Sequence, residues 1–228
     1  MQRFTRRLMA ACAFSGIVAN TVASASDHPT IRAMSGAEPI RQLEAGKSAL
    51  VVIDFQNEYF TGKMPILDGL AALANTRELI KFADNNKIPV YRVQHVAPAG
   101  SAVFALDGET VKLHPDMQSR AQDTLLQKTT VSVFGSTDLD SRLKKAGINT
   151  LIISGLMTHA CVAGAARDAA PLGYHVLVAS DASATRAITR ANGESVDKDS
   201  LHDAALAAVE DAFGDVMTTA QILKLPVR

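Results

Sequence analysis

Ala49-Leu50-Val51-Val52-Ile53-Asp54 is the stretch on which the fold turns. Five apolar residues, three of them β-branched, run without alternation and end on a carboxylate. A strand with one wet face alternates in polarity, so an unbroken run of this length suits a central parallel strand covered on both faces. Working outward, residues 70–85 place apolar side chains at helical spacing (Leu70, Leu73, Leu79, Ile80, Ala83). Residues 89–95 read as a second strand, and 123–131 contain a third. Ser136-Thr137-Asp138 opens a helix through Lys145, with capping side chains at its start and Gly147 at its close. A fourth strand at 150–154 leads through a turn into a helix from about 161 to 172. Then come a fifth strand at 174–179, a helix at 198–213, a last strand at 215–218 and a short helix at 220–223. This alternation predicts βαβ units: an α/β fold, a mostly parallel sheet with helices on both faces.

The ends of the chain are of another character. Arg3, Arg6 and Arg7 precede a short uncharged apolar run from 8 to 22, and Ala23-Ser24-Ala25 supplies the small residues that signal peptidase requires. Residues 1–25 therefore read as a cleaved signal peptide, which predicts an exported, periplasmic or secreted protein with no membrane attachment after cleavage. Residues 26–47 are polar and aperiodic and read as a surface arm or linker, leaving 48–228 as one domain. The 228 residues carry 23 basic and 23 acidic side chains, so no basic face points to nucleic acid. Cleavage would remove three arginines and Cys12. That leaves 20 basic against 23 acidic groups, a net charge of −3, and Cys161 as the single cysteine. A lone cysteine in an oxidising compartment forms no internal disulfide; it is either inert or wanted for its reactivity.

In a parallel sheet ligands bind beyond the carboxyl ends of the strands. Three residues fall there: Asp54 after the first strand, Lys128 near the third and Cys161 after the fourth. A thiol opening a helix faces backbone N–H groups and the positive end of the helix dipole, and both favour thiolate. The same position also suits a small buried residue that merely packs helix on sheet. A carboxylate ending an apolar strand needs partners, and Asp54 serves either as a general base or as a cap of the following loop. Lys128 either orients Asp54 and stabilises thiolate or is an ordinary strand-edge lysine. His159, two residues before the thiol, is set aside as a base because its position turns it away.

At these positions three blocks resemble the isochorismatase-like cysteine hydrolase superfamily. Val52-Ile53-Asp54-Phe55-Gln56-Asn57 resembles its D-x-Q block, and Gln127-Lys128-Thr129-Thr130-Val131-Ser132-Val133-Phe134 its lysine block. Gly155-Leu156-Met157-Thr158-His159-Ala160-Cys161-Val162 is similar to its G-x-x-T-x-x-C-V block. They occur in the family's order, and the resemblance spans roughly 48–225. It implies a Rossmann-like sheet, a catalytic triad of Asp54, Lys128 and Cys161, and a cis Leu156–Met157 peptide. It further implies an oxyanion hole from the backbone N–H groups of Met157 and Cys161, thioester chemistry on an amide or ureido C–N bond, and a homo-oligomer. Members cleaving vinyl ethers typically lack the cysteine, so isochorismatase-type ether cleavage ranks second.

Two departures narrow the expectation. The metal-binding block of nicotinamidases has no counterpart in Val93-Gln94-His95-Val96-Ala97-Pro98. His95 with His114 makes a poor metal set, so no catalytic metal and no cofactor are expected. A signal peptide is also unusual among relatives. Phe60, His95 and Phe134 are candidate walls of a substrate pocket, with Phe55 and Tyr59 beside them; each suits core packing as well. The remaining classes are a small-molecule-binding protein that has lost turnover, and a redox thiol protein. The second lacks a resolving cysteine.

Overall fold

The computed structural model describes residues 28–228; the expected signal peptide lies outside them. Six parallel strands form one sheet. β1 (Ser48–Ile53) is buried at every position, as its unbroken apolar run requires. It is flanked by β2 (Val90–His95) and by β4 (Thr150–Leu156), with β3 (Thr124–Lys128) beyond β2 and β5 (His175–Ala184) and β8 (Asp215–Met217) beyond β4. The chain adds β2 and β3 on one side of β1, then returns to lay β4 on the other. This reversal between β1 and β4 is the topological switch point, where side chains at the carboxyl ends of two adjacent strands diverge and leave a crevice.

Alternate residues of β1 feed two cores. Leu50 and Val52 pack with Ala72, Leu73, Leu79, Ile80 and Ala83 of α2 (Gly69–Asn85) and with Ile222 of α6 (Thr219–Ile222). Ala49, Val51 and Ile53 pack against the opposite layer, formed by α3 (Leu139–Lys145), α4 (Ala163–Ala169) and α5 (Lys198–Ala212). Helices thus cover both faces, as the α/β reading requires. Small side chains in α4 (Ala163, Ala165, Ala166, Ala169, all buried) let it sit close to the sheet.

Three local features depart from expectation. The helix at 136–145 starts later, at Leu139, because 133–135 form a separate 3-10 turn. β5 runs on to Ala184 through Ser180, Asp181 and Ser183, whose polarity hid its second half. After it a two-stranded hairpin, β6 (Ile188–Thr189) and β7 (Ser195–Val196), leads into α5. The arm is mostly surface but is docked. It carries the short helix α1 (Ile31–Met34), Arg32 Nη1 meets Asp215 Oδ1 at 2.7 Å, and Leu43 is 1% exposed. Leu43 N–H donates to Pro226 O at 2.8 Å and Arg228 N–H to Leu43 O at 3.0 Å, so the arm pairs with the last residues. Among the described residues, no helix is long and apolar enough to cross a membrane.

Candidate active site

Asp54 takes the first position past β1 with φ +54°, a left-handed conformation that aspartate tolerates better than most residues. The turn lifts its carboxylate out of the sheet at the switch point. Across the crevice Gly155 has φ +147°, and a Cβ there would collide with the backbone of Ile53, so only glycine lets β4 come this close to β1. The next peptide, Leu156–Met157, is cis, as the resemblance implies.

Cys161 does not open an α-helix. It lies inside a π-helical turn, Thr158–Val162, closed by Val162 N–H to Met157 O at 3.2 Å, with α4 beginning two residues later. Single π turns are frequent at functional sites, because the extra residue re-aims a side chain. The consequence for ionisation reverses the expectation of a thiolate-favouring helix end. Burial, reinforced by the Asp54 charge, pushes the Cys161 thiol up to about 12. Lys128 pulls the other way but does not win.

Lys128, last residue of β3 and paired in register with His95, is fully buried. Its Nζ lies 2.8 Å from Asp54 Oδ2, 2.8 Å from His95 Nδ1, 3.3 Å from Cys161 Sγ and 3.2 Å from Thr130 O. The Asp54 contact is an ion pair by distance, but its angles leave both carboxylate oxygens without a well-directed hydrogen bond. Burial raises the Asp54 pKa, and the Lys128 charge opposes that shift. A carboxylate poised above its ordinary value beside a neutral thiol can accept the thiol proton, which an ordinary carboxylate does poorly.

His95 is a neighbour of this group rather than a plain wall. Its ring lies 4.8 Å from that of Phe104, and burial together with Lys128 lowers its pKa to about 4, so it is neutral at pH 7 and accepts from the ammonium. Gln56 holds it from behind: His95 N–H donates to Gln56 Oε1 at 2.7 Å, while Gln56 Nε2 donates to His95 O at 2.8 Å and to Val111 O at 2.6 Å. The glutamine of the D-x-Q block thus ties β1 to β2, a role its sequence position did not disclose.

Asp54, His95 and Cys161 present an oxygen, a nitrogen and a sulfur all within 4.8 Å of one another, a set that could hold a metal ion. The Lys128 ammonium is within 3.3 Å of an atom of each, so a metal would have to displace a cation already shared by all three.

The other sequence candidates separate. Tyr59 is buried at the site, its phenol raised by burial and then by the charges of Cys161 and Asp54. Phe60, on the loop after β1, packs against the His114 ring at a tilt of 52° with centroids 4.5 Å apart. Phe134, expected as a pocket wall, has its ring centroid 6.0 Å from that of Tyr174, just before β5, and packs against the core cluster that also contains Cys161. His159 turns to Thr185, Nδ1 to Oγ1 2.6 Å, and away from the thiol as its position predicts. One site neighbour was missed. His202 of α5 contacts Thr158 Oγ1 of the π turn at 2.9 Å. It comes from an element distant in sequence, with no motif to mark it.

The Isochorismatase domain family model matches residues 48–221. An isochorismatase family protein of Bacillus subtilis is 32% identical over 179 residues, covering 78% of this chain and 99% of the relative. A secreted isochorismatase effector of Verticillium dahliae is 30% identical over 193 residues, covering 85% and 98%. A crystal structure of an isochorismatase-type protein from Burkholderia xenovorans superposes with TM-score 0.74 at 34% identity, over 77% of this chain and 85% of that one. More distant matches include a nicotinamidase of Arabidopsis thaliana, 30% identical over 151 residues, and a ureidoacrylate amidohydrolase of Variovorax paradoxus, 27% over 216.

Proposed function

Because the chain belongs to the isochorismatase family of hydrolases, we propose that it is a metal-independent cysteine hydrolase cleaving an amide or ureido C–N bond of a small molecule. The observation that carries this reading is the Lys128 ammonium, 2.8 Å from Asp54 and 3.3 Å from Cys161. The relatives with C–N hydrolase names support the bond class.

Chemistry follows from the ionisation states. Asp54 takes the Sγ proton as sulfur attacks the carbonyl carbon, so thiolate need not exist beforehand and a thiol pKa near 12 is no obstacle. Lys128 neutralises the sulfur charge as it develops. The tetrahedral oxyanion is received by the N–H groups of Met157 and Cys161, where each well-aimed donor contributes about 2.7–4 kcal/mol. Asp54 then returns the proton to the leaving nitrogen, the C–N bond breaks, and a thioester remains on Cys161. Water, deprotonated by Asp54, attacks that thioester and releases the acid with the thiol restored. Export through the basic-apolar N-terminal segment is part of the proposal.

A panel of small amides and ureido compounds, followed by released amine or ammonia, tests the reading. Turnover should vanish in Cys161→Ser with the fold intact and should be indifferent to EDTA. Activity surviving in Cys161→Ser, or lost to EDTA and restored by zinc, would overturn it.

A further inference from the structure

The π turn that carries Cys161 has little backbone support of its own. At its start two N–H groups, of Ala160 and Val162, share the Met157 carbonyl, each at 3.2 Å, the long end of the hydrogen-bond range. Such turns are rare because the α-helical register competes with them. Shedding the extra residue would swing Cys161 by about 100° around the helix axis. Its Sγ would then lose its place 3.3 Å from Lys128 Nζ.

Support comes from two side-chain hydrogen bonds to segments distant in sequence. His159 Nδ1 meets Thr185 Oγ1 at 2.6 Å, and Thr158 Oγ1 meets His202 Nδ1 at 2.9 Å. Thr158 is 1% exposed, so its hydroxyl has no access to water, and His202 is its hydrogen-bond partner among the described residues. His202 in turn is held on either side along α5. Ahead of it, Asp197 Oδ1 caps the helix by accepting from the N–H groups of Asp199 and Ser200 at 3.0 and 2.9 Å. Lys198 Nζ lies 2.6 Å from Asp68 Oδ2, just before α2. One turn further on and on the same face, Leu206 is buried in the core cluster that also contains Cys161 and Val162. Burial lowers the His202 pKa against the charges of Asp203, Asp199 and Asp68, with Lys198 adding to the shift, so the ring is neutral at pH 7 and above.

We infer that His202 is a positioning residue of the proposed hydrolase: through Thr158 it holds the π turn that aims Cys161 at Lys128 and Asp54. The word hydrolase rests on the proposed function; the aim of the thiol does not. The His159–Thr185 bond keeps the turn attached when the His202 bond is cut, so the turn changes register while the fold persists.

Alkylation of Cys161 by iodoacetamide at pH 8, mapped to its peptide, reads the thiol without any substrate. In His202→Leu the thiol leaves the burial and the Asp54 charge that push it up to about 12, so its alkylation should quicken about tenfold or more. Thr158→Val should do the same, and the double variant should match either single within about twofold, since both cut one bond. His202→Asn, whose amide stands where Nδ1 stands, should return the rate to within about threefold of the parent. Alkylation unchanged or slower in folded His202→Leu, rates that multiply in the double variant, or His202→Asn behaving as His202→Leu would each overturn the inference. Circular dichroism establishes folding, and Thr158→Val, which keeps the side chain's shape, carries the test if His202→Leu does not fold. Turnover of a substrate found by the panel is read separately. Misaiming the thiol should lower kcat about tenfold or more with KM within about threefold. Quickened alkylation with undiminished kcat leaves the latch and removes Cys161 from the reaction, and a parent protein without turnover sinks the hydrolase alone.

Discussion

Cys161 and Asp54 hold their protons in the opposite sense to a preformed ion pair. With the thiol pushed up to about 12 and the Asp54 pKa raised by burial, the resting nucleophile is a neutral thiol, and Asp54 is a stronger base toward it than an ordinary carboxylate. Alkylation of Cys161 by iodoacetamide at pH 7 should therefore be slower than that of free cysteine and should climb steeply with pH; rapid alkylation at pH 7 would mean a preformed thiolate. Asp54→Asn separates two effects. Removing the charge that helps hold the thiol up should lower its pKa, yet turnover should fall at least ~10²-fold, because proton transfer in both directions is lost. A lowered thiol pKa with undiminished turnover would remove Asp54 from the mechanism. His95 makes a prediction about stability. Its pKa falls from 6.5 unfolded to about 4 folded, through burial and the Lys128 charge. Below 6.5 the unfolded chain binds a proton that the folded protein refuses. Stability should thus decline as pH falls from 6.5 toward 4, and His159 and His202, also lowered by burial, act in the same sense. The melting temperature followed across this window should drop, and the drop should be shallower in His95→Gln.

The elements supply the crevice in which those residues meet, and one glycine controls its width. Gly155→Ala combines a positive φ with a collision against the Ile53 backbone, so it should cost at least ~2 kcal/mol in urea denaturation and abolish activity with it. A variant of undiminished stability would mean that β1 and β4 can separate freely. The strands bordering this crevice were legible in the sequence because a central parallel strand is apolar on both faces, and Asp54 stood out because it is the polar residue closing such a run. The second half of β5 was not, since Ser180, Asp181 and Ser183 interrupt the pattern where the strand leaves the core. The π turn was not either. Val162-Ala163-Gly164-Ala165-Ala166 reads as a helix from its first residue, and nothing local reveals one residue too many in the preceding turn.

At the scale of the molecule, the parts that sequence could not join are those held by long-range contacts. Lys128 and Cys161 were visible as separate candidates, while the sharing of one ammonium among Asp54, His95 and Cys161 depends on the register of β2 with β3 and on the order of the sheet. His202 arrives from a segment with no motif of its own. The arm reads as a linker because its apolar anchor, Leu43, is fully buried but stands among polar residues; Leu43→Ala should nevertheless cost ~2–5 kcal/mol, the range for a buried leucine, whereas a true linker would register no change. The central claim is that substrate carbon becomes bonded to Cys161, and the most direct measurement is acid-quenched single-turnover mass spectrometry on the intact protein with a ureido or amide substrate found by the panel. The account predicts a transient mass increase equal to the acyl group, mapped to the Cys161 peptide, which builds and decays with product release and is missing in Cys161→Ser. Product formed at full rate with the Cys161 peptide unmodified at every time point, or an adduct mapped to another residue, would contradict it.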